Sequence, residues 1–225
     1  MAINELSLDQ QGIILLAALV LFSSFSMLAQ PRLLSLVNTF ALQGLLLSAT
    51  TVLVALVSGH HHLYLSALLT LLLKALLIPW MLRRLVNRLG LHGEIEPLER
   101  PNLVLLGAAA LVVFCYYVSL PIVQLSTMLT RNTIAISMSV VLLGMLMMIA
   151  RRQVVAHVVG FMSIENGLFF AAVVSTYGMP MVVELGIAFD VLVAAVLFGV
   201  FFFHIRESID SLDVDRLNRL SEVER

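Results

Sequence analysis

Seven apolar runs, each about 18 to 26 residues long, govern what this chain can fold into. They fall at roughly 12–29, 32–57, 63–82, 102–119, 132–150, 154–176 and 180–205. At about 1.5 Å per residue, a helix of about 20 residues crosses the hydrocarbon of a bilayer about 30 Å thick. Lipid offers no partner to a peptide N–H or C=O, so each run is expected to satisfy its own backbone as an α-helix. The expected fold is an all-α polytopic membrane protein with seven transmembrane helices. Composition agrees: 60% of the 225 residues are hydrophobic and 12% charged, with a mean hydropathy of +1.03, which excludes an ordinary soluble domain.

The breaks between runs are chemically sensible. Pro31 and Pro180 sit at or just before helix starts, where a missing N–H matters little, and Gly59 and Gly178 fall in turns. The leader MAINELSLDQQ carries Glu5 and Asp9 but no Lys or Arg, so the first run is expected to remain in the mature protein instead of acting as a signal peptide. With the N-terminus outside, eleven of the thirteen Lys and Arg lie in cytoplasmic segments, Arg131 lies outside and Lys74 lies within a span. That asymmetry predicts N-terminus out and C-terminus cytoplasmic. The expected organisation is a single membrane domain: a four-helix part over 1–119, a three-helix part over 132–206 and a cytoplasmic tail over 207–225. The loop RRLVNRLGLHGEIEPLERPN and the tail RESIDSLDVDRLNRLSEVER mix charges with leucines. A short surface helix through Leu217 and Leu220 and a solvated tail are both open readings of the latter. The chain shows no matching halves of the kind secondary transporters use.

Three charges stand near the middle of spans: Lys74 in the third, Glu165 in the sixth and Asp190 in the seventh. A charge at that depth costs about 2.5–3.5 kcal/mol on insertion scales, so an intramembrane ionisable residue marks a candidate functional site. Lys74 is the only lysine, and Pro79, five residues on, removes the hydrogen bond to the Ala75 carbonyl and loosens the helix beside it. Protonatable groups at matching depth can form a lateral relay, and Asp190, Glu165 and Lys74 are expected to form one at mid-bilayer, with Lys74 in a functional or acid-paired role. The bland readings are Glu165 held neutral by Asn166, Asp190 bonded to a small-residue face, and Lys74 passively buried. Glu184, about four residues into the last run, fits either an anion at a helix N-terminus or a proton path. His157 and His204, near cytoplasmic ends, fit helix anchoring or proton exchange with water. The run His60, His61, His62 lacks a nearby acid or thiol and reads as a solvated turn. Asn38, Thr39 and Gln43 are expected to make interhelical hydrogen bonds, and Met145, Met147 and Met148 to face lipid or core. The single cysteine, Cys115, allows no internal disulfide and no thiolate cluster, so no metal site or cofactor is expected in this chain.

Arg151, Arg152, Gly160, the IENG of Ile164 to Gly167, Val183-Glu184-Leu185-Gly186-Ile187-Ala188 and Asp190 together resemble component E of hydrogenase 4. Leu212-Asp213-Val214-Asp215-Arg216-Leu217 and the KALLIP stretch at Lys74 extend the resemblance over most of the chain. Component E is a membrane subunit of formate hydrogenlyase-type and related complexes. The last three spans also look like the small K-type subunit of NADH:quinone oxidoreductase, in which two helix-borne acids belong to the proton path. Asp190 falls where that family carries its last-helix glutamate. Aligning Asn166 puts the other glutamate at Met162, one turn before Glu165. The resemblance implies a non-catalytic subunit of an oxidoreductase complex, multi-pass in the cell inner membrane. Its partners would be antiporter-like and other membrane-arm subunits and the lipid bilayer, with no cofactor and no nucleic acid. A subunit of a multi-subunit cation/proton antiporter and a structural spacer are the alternative readings.

Overall fold

The apolar runs become helices whose ends follow the breaks in the sequence. The computed structural model describes residues 8–59, 61–88, 101–121, 128–175, 185–197 and 199. Along the chain run α1 (Leu8–Ala29), α2 (Leu33–Ser58), α3 (His62–Thr70), a π-helical segment (Leu71–Leu77), α4 (Ile78–Arg88), α5 (Pro101–Ser119), α6 (Met128–Ala150) and α7 (Val154–Ser175). A shorter apolar helix, α8 (Leu185–Leu197), lies within the seventh run. The segment from α3 to α4 is one continuous span, so six of the described helices are long and apolar enough to cross a membrane. Gly59 ends α2 in the left-handed conformation, its N–H bonded to the Ala55 carbonyl at 2.9 Å, which is where a Cβ would be strained. The third span continues through Arg88, so Arg83 and Arg84, expected in a loop, are on its last helical turns. The tail after Arg206 and most of the loop before Pro101 lie outside the described residues.

Polarity is distributed in the reverse of a soluble protein. Gln43, Thr50, Thr70, Lys74, Asn166 and Asp190 are buried, whereas Phe22, Leu56, Leu65, Leu106, Tyr117 and Ile149 are exposed. An apolar exterior is no penalty when the solvent is lipid, and the polar groups must then find partners inside. The architecture is that of a polytopic membrane protein.

Two apolar clusters hold the bundle. One joins Leu36 and Phe40 of α2, Leu82 of α4, Leu143 of α6 and Met162 of α7; the other joins Leu47, Leu63, Phe170 and Val173. Lipid tails are as apolar as leucine, so close packing takes the place of a hydrophobic driving force between helices. The α6–α7 hairpin shows it most clearly. A Cβ at Gly144 would lie 2.8 Å from the Gly160 carbonyl oxygen, and one at Gly167 would lie 3.0 Å from the Ser137 carbonyl oxygen. Glycine alone lets the two backbones come this close.

At the turn of that hairpin, Arg151 is folded inward. Its guanidinium donates to the carbonyls of Leu28 and Gln30, both at 2.9 Å. It thereby caps the C-terminus of α1, where the helix dipole favours a cation. Burial pushes this guanidinium below its usual pKa. An arginine that the sequence offers as a topology marker is therefore also a tie between α1 and the α6–α7 hairpin.

Gly144→Val is expected to force the hairpin apart and cost about 1–3 kcal/mol, read as a lowered thermal midpoint in detergent. Gly107→Val, where an added Cβ meets nothing within 4 Å, is the matched control. Equal effects of the two substitutions would show that the hairpin crossing is not what glycine serves.

Candidate functional site

The site is built by three helices distant in sequence. Lys74 comes from the π-helical segment, Glu165 from α7 and Asp190 from α8. The Lys74 ammonium donates a hydrogen bond to Glu165 Oε2 and lies 3.6 Å from Asp190 Oδ2. Lys74 and Asp190 are buried, at 0% and 1% side-chain exposure, while Glu165 retains 13%. The ammonium also sits 4.9 Å from the centre of the Phe169 ring, a cation–π contact worth about 2 kcal/mol when desolvated. Asp190 Oδ1 has no hydrogen-bond partner among the described residues.

The backbone under Lys74 is unusual for a reason visible in the sequence. Ile78 donates its N–H to the Leu73 carbonyl, five residues back, and Pro79 has no N–H to give. The Lys74 carbonyl thus receives a helix hydrogen bond from neither of them. Single wide turns of this kind are rare and recur at functional sites. The turn is held by α2. A Cβ at Gly44 would lie 2.9 Å from the Lys74 carbonyl carbon and 3.0 Å from its oxygen, so glycine is what allows α2 to lie against this backbone. One turn away, Ser48 Oγ donates to the Ala67 carbonyl at 2.9 Å, fixing the same pair of helices.

Beside the trio runs a neutral polar chain. Asn166 Nδ2 donates to Gln43 Oε1 at 3.0 Å, and Gln43 Nε2 donates to Ser24 Oγ at 2.8 Å. It links α7, α2 and α1 through buried side chains. Asn166 is therefore bonded to α2 and not to Glu165, which corrects the reading in which it holds that acid neutral. Adjacent helix residues point about 100° apart, so the two face different neighbours. Gln43 makes the expected interhelical bonds, but Thr39 bonds back to the Ser35 carbonyl at 2.9 Å and Asn38 is exposed.

The other expected site residues are not brought to the trio. His157 Nδ1 lies 2.9 Å from the Gln153 carbonyl in its own first turn, about 12 Å along α7 from Glu165. Glu184 and His204 lie outside the described residues. Among the described residues, no group of three or more His, Cys, Asp or Glu is placed to hold a metal ion. Two residues that shape the site escaped notice in the sequence. Gly44 could have been found as a small residue at mid-span, the signature of a close helix crossing. Phe169 carries no signal that separates it from any other apolar position.

The chain as a whole has recognisable relatives. Uncharacterized protein Rv0085 of Mycobacterium tuberculosis is 31% identical over 189 residues, which cover 84% of this chain and 86% of that protein. The chain belongs to that family. More distantly, hydrogenase-4 component E of Escherichia coli and of Shigella flexneri is 25% identical over 147 residues, 65% of this chain and 68% of each relative. The chain's kinship with hydrogenase-4 component E, expected from the motifs, is thus present as distant homology. No protein-family model matches the chain, and no solved structure matches it.

Lys74→Met is expected to leave two carboxylates facing each other in an apolar interior and to cost about 3–5 kcal/mol of stability. Combining it with Glu165→Gln and Asp190→Asn should recover most of that loss, because no unpaired charge remains. Thermal unfolding of the single and triple variants in detergent measures the difference. A triple variant no more stable than Lys74→Met would mean that the trio is not held by its charges.

Proposed function

We propose that this chain is a non-catalytic membrane-arm subunit of a hydrogenase-4-type, complex I-related oxidoreductase, and that Lys74, Glu165 and Asp190 move protons within it. The observation that carries the reading is one buried lysine in contact with two acids from two other helices. Distant homology to hydrogenase-4 component E supports membership in a multi-subunit membrane complex.

The charge count of the trio explains how it would work. One ammonium and two carboxylates leave one negative charge, and a net charge is expensive in a medium of low dielectric. One further proton makes the cluster neutral. Lys74 already touches both acids, so that proton can reside on either one while the lysine leans toward the other. Transfer then needs only a small displacement of a side chain on a widened helical turn. Water and titratable groups of adjacent subunits would complete the path.

The finer assignments follow the same reading. The chain crosses the cell inner membrane seven times with α8 inside the last span, N-terminus outside and C-terminus cytoplasmic. The part over 132–206 corresponds to K-type helices, with Asp190 in place of their last glutamate and Glu165 one turn beyond the position of the other. Glu184, His157 and His204 flank the relay toward the two membrane surfaces. Antiporter-like and other membrane-arm subunits of a formate-hydrogenlyase-type complex are the partners, met through the segment over 83–101, which begins on the last turns of α4, and the tail over 207–225.

Two measurements test this. Asp190→Asn should assemble normally, retain electron transfer where it is loosely coupled, and lose proton translocation in vesicles. Asparagine keeps shape and hydrogen bonds but cannot titrate, so full pumping by the assembled Asp190→Asn complex would remove Asp190 from the relay. Deleting residues 212–225 should lower the yield of assembled complex while membrane insertion of this subunit stays intact. A normal yield from that deletion would remove the tail from the subunit interface.

A further inference from the structure

The trio is not sealed on all sides. Between α7 and α8 lies a cavity of about 400 Å³ lined by Phe161, Ile164, Leu168, Phe169, Leu185 and Phe189, with Glu165 and Gly186 completing its wall. Among the described residues that line it, Glu165 is the one that carries a charge. The two oxygens of that carboxylate face different ways. Oε2 accepts the bond from Lys74, whereas a Cβ built at Gly186 would lie 3.3 Å from Oε1 and 3.0 Å from the Phe169 ring. Oε1 is thus turned toward α8 and the cavity, and it is the absence of a side chain at position 186 that leaves it room. Phe169 both receives the Lys74 ammonium on its ring and lines the cavity. Phe161 and Phe189 pair across the wall with ring centres 5.4 Å apart.

An aromatic and aliphatic wall, a volume that suits a small organic molecule, and one carboxylate oxygen beside phenylalanine faces make a site for a particular chemistry. The charge count selects it. With a single lysine serving two acids, the cluster has room for one more positive charge, and a cation entering the cavity meets Glu165 Oε1 and the negative faces of the rings. A neutral amphiphile would gain the apolar contacts but would leave the excess negative charge in place.

We infer that the α7–α8 cavity binds a lipophilic organic monocation, a protonated amine with an aryl or alkyl body, its ammonium on Glu165 and its body between Phe161 and Phe189. The inference rests on Lys74, Glu165 and Asp190 forming one charged cluster, as in the proposed function, but it does not require that cluster to transport protons. Such a ligand takes the Glu165 oxygen that Lys74 does not, so the two cations compete for the charge of one carboxylate. It reaches the site from within the bilayer, where a molecule of this class partitions.

Saturation binding of a naphthyl-alkylammonium probe to the full-length chain in lipid nanodiscs, corrected with protein-free nanodiscs, tests the site. One saturable site per chain is expected, with the neutral naphthyl-alkanol of the same length at least about tenfold weaker. Glu165→Gln should weaken the ammonium by a similar factor, and Gly186→Leu, which fills the opening without altering any charge, should abolish binding. Lys74→Met should bind the probe more tightly, because the competing cation is gone. Equal affinity for the alkanol would make the cavity a groove for lipid tails and overturn the inference, as would unchanged binding by Gly186→Leu. Should Gly186→Leu fail to fold, a photoreactive ammonium on the unaltered chain decides the matter: labelling of the peptides carrying Phe161 and Phe189 supports the site, and labelling elsewhere sinks it. The two proposals fail separately. Saturable ammonium binding together with full pumping by Asp190→Asn removes Asp190 from the relay and keeps the cation site, whereas lost pumping with no probe binding keeps Asp190 in the relay and removes the cation site.

Discussion

A charge without water must find its counter-charge in the protein, and Lys74 meets that demand for two carboxylates at once. Everything around it serves the meeting. The three charged groups sit on separate helices, so each helix must be held at the right distance and rotation. The chain does this with glycines at the close approaches: Gly44 brings α2 onto the Lys74 backbone, Gly144 and Gly160 press α6 onto α7, and Gly186 lets α8 approach Glu165. In lipid, where apolar surface alone does not draw helices together, such contacts set which faces meet.

A second layer of polar contacts orients the helices around that centre. The Asn166–Gln43–Ser24 chain ties α7 to α2 and α1, and Arg151 ties the α6–α7 turn to the end of α1. Hydrogen bonds of this kind stabilise membrane bundles by only about 0.6 kcal/mol each on average. Their value lies in direction: a helix that rotated by one residue, about 100°, would break them and carry Glu165 away from Lys74.

The spans were legible because bilayer thickness turns helix length into a count of apolar residues, and the runs at roughly 12–29, 32–57 and 154–176 became α1, α2 and α7 within a few residues of those limits. The candidate charges were legible for the same reason, since depth alone marks Lys74, Glu165 and Asp190. Their meeting in one relay was expected, but the contacts that bring it about were not legible. Mid-span depth fixes a level in the membrane but leaves the rotation of each helix free, and rotation is decided by packing between residues far apart in sequence. That is also why Asn166 pairs with Gln43 instead of its neighbour Glu165, and why Thr39 turns back on its own helix. Arg151 was legible as a charge on one side of the membrane, yet its burial depends on where α1 ends. Pro79 announced a disturbed helix beside Lys74 but not that the disturbance would be a widened turn.

The widened turn has a consequence for phase. Thr70, Lys74, Ile78, Leu82 and Val86 are all buried although they are spaced by four residues. In an unbroken α-helix a step of four residues overshoots a full turn by about 40°, so a stripe at that spacing wraps steadily around the cylinder. Over Leu71–Leu77 the i→i+5 pattern takes up part of that overshoot. The segment acts as a vernier between two rigid scales: the half below Lys74 and the half above it each keep their own inward face, and the lysine is aimed at the acids without unseating either.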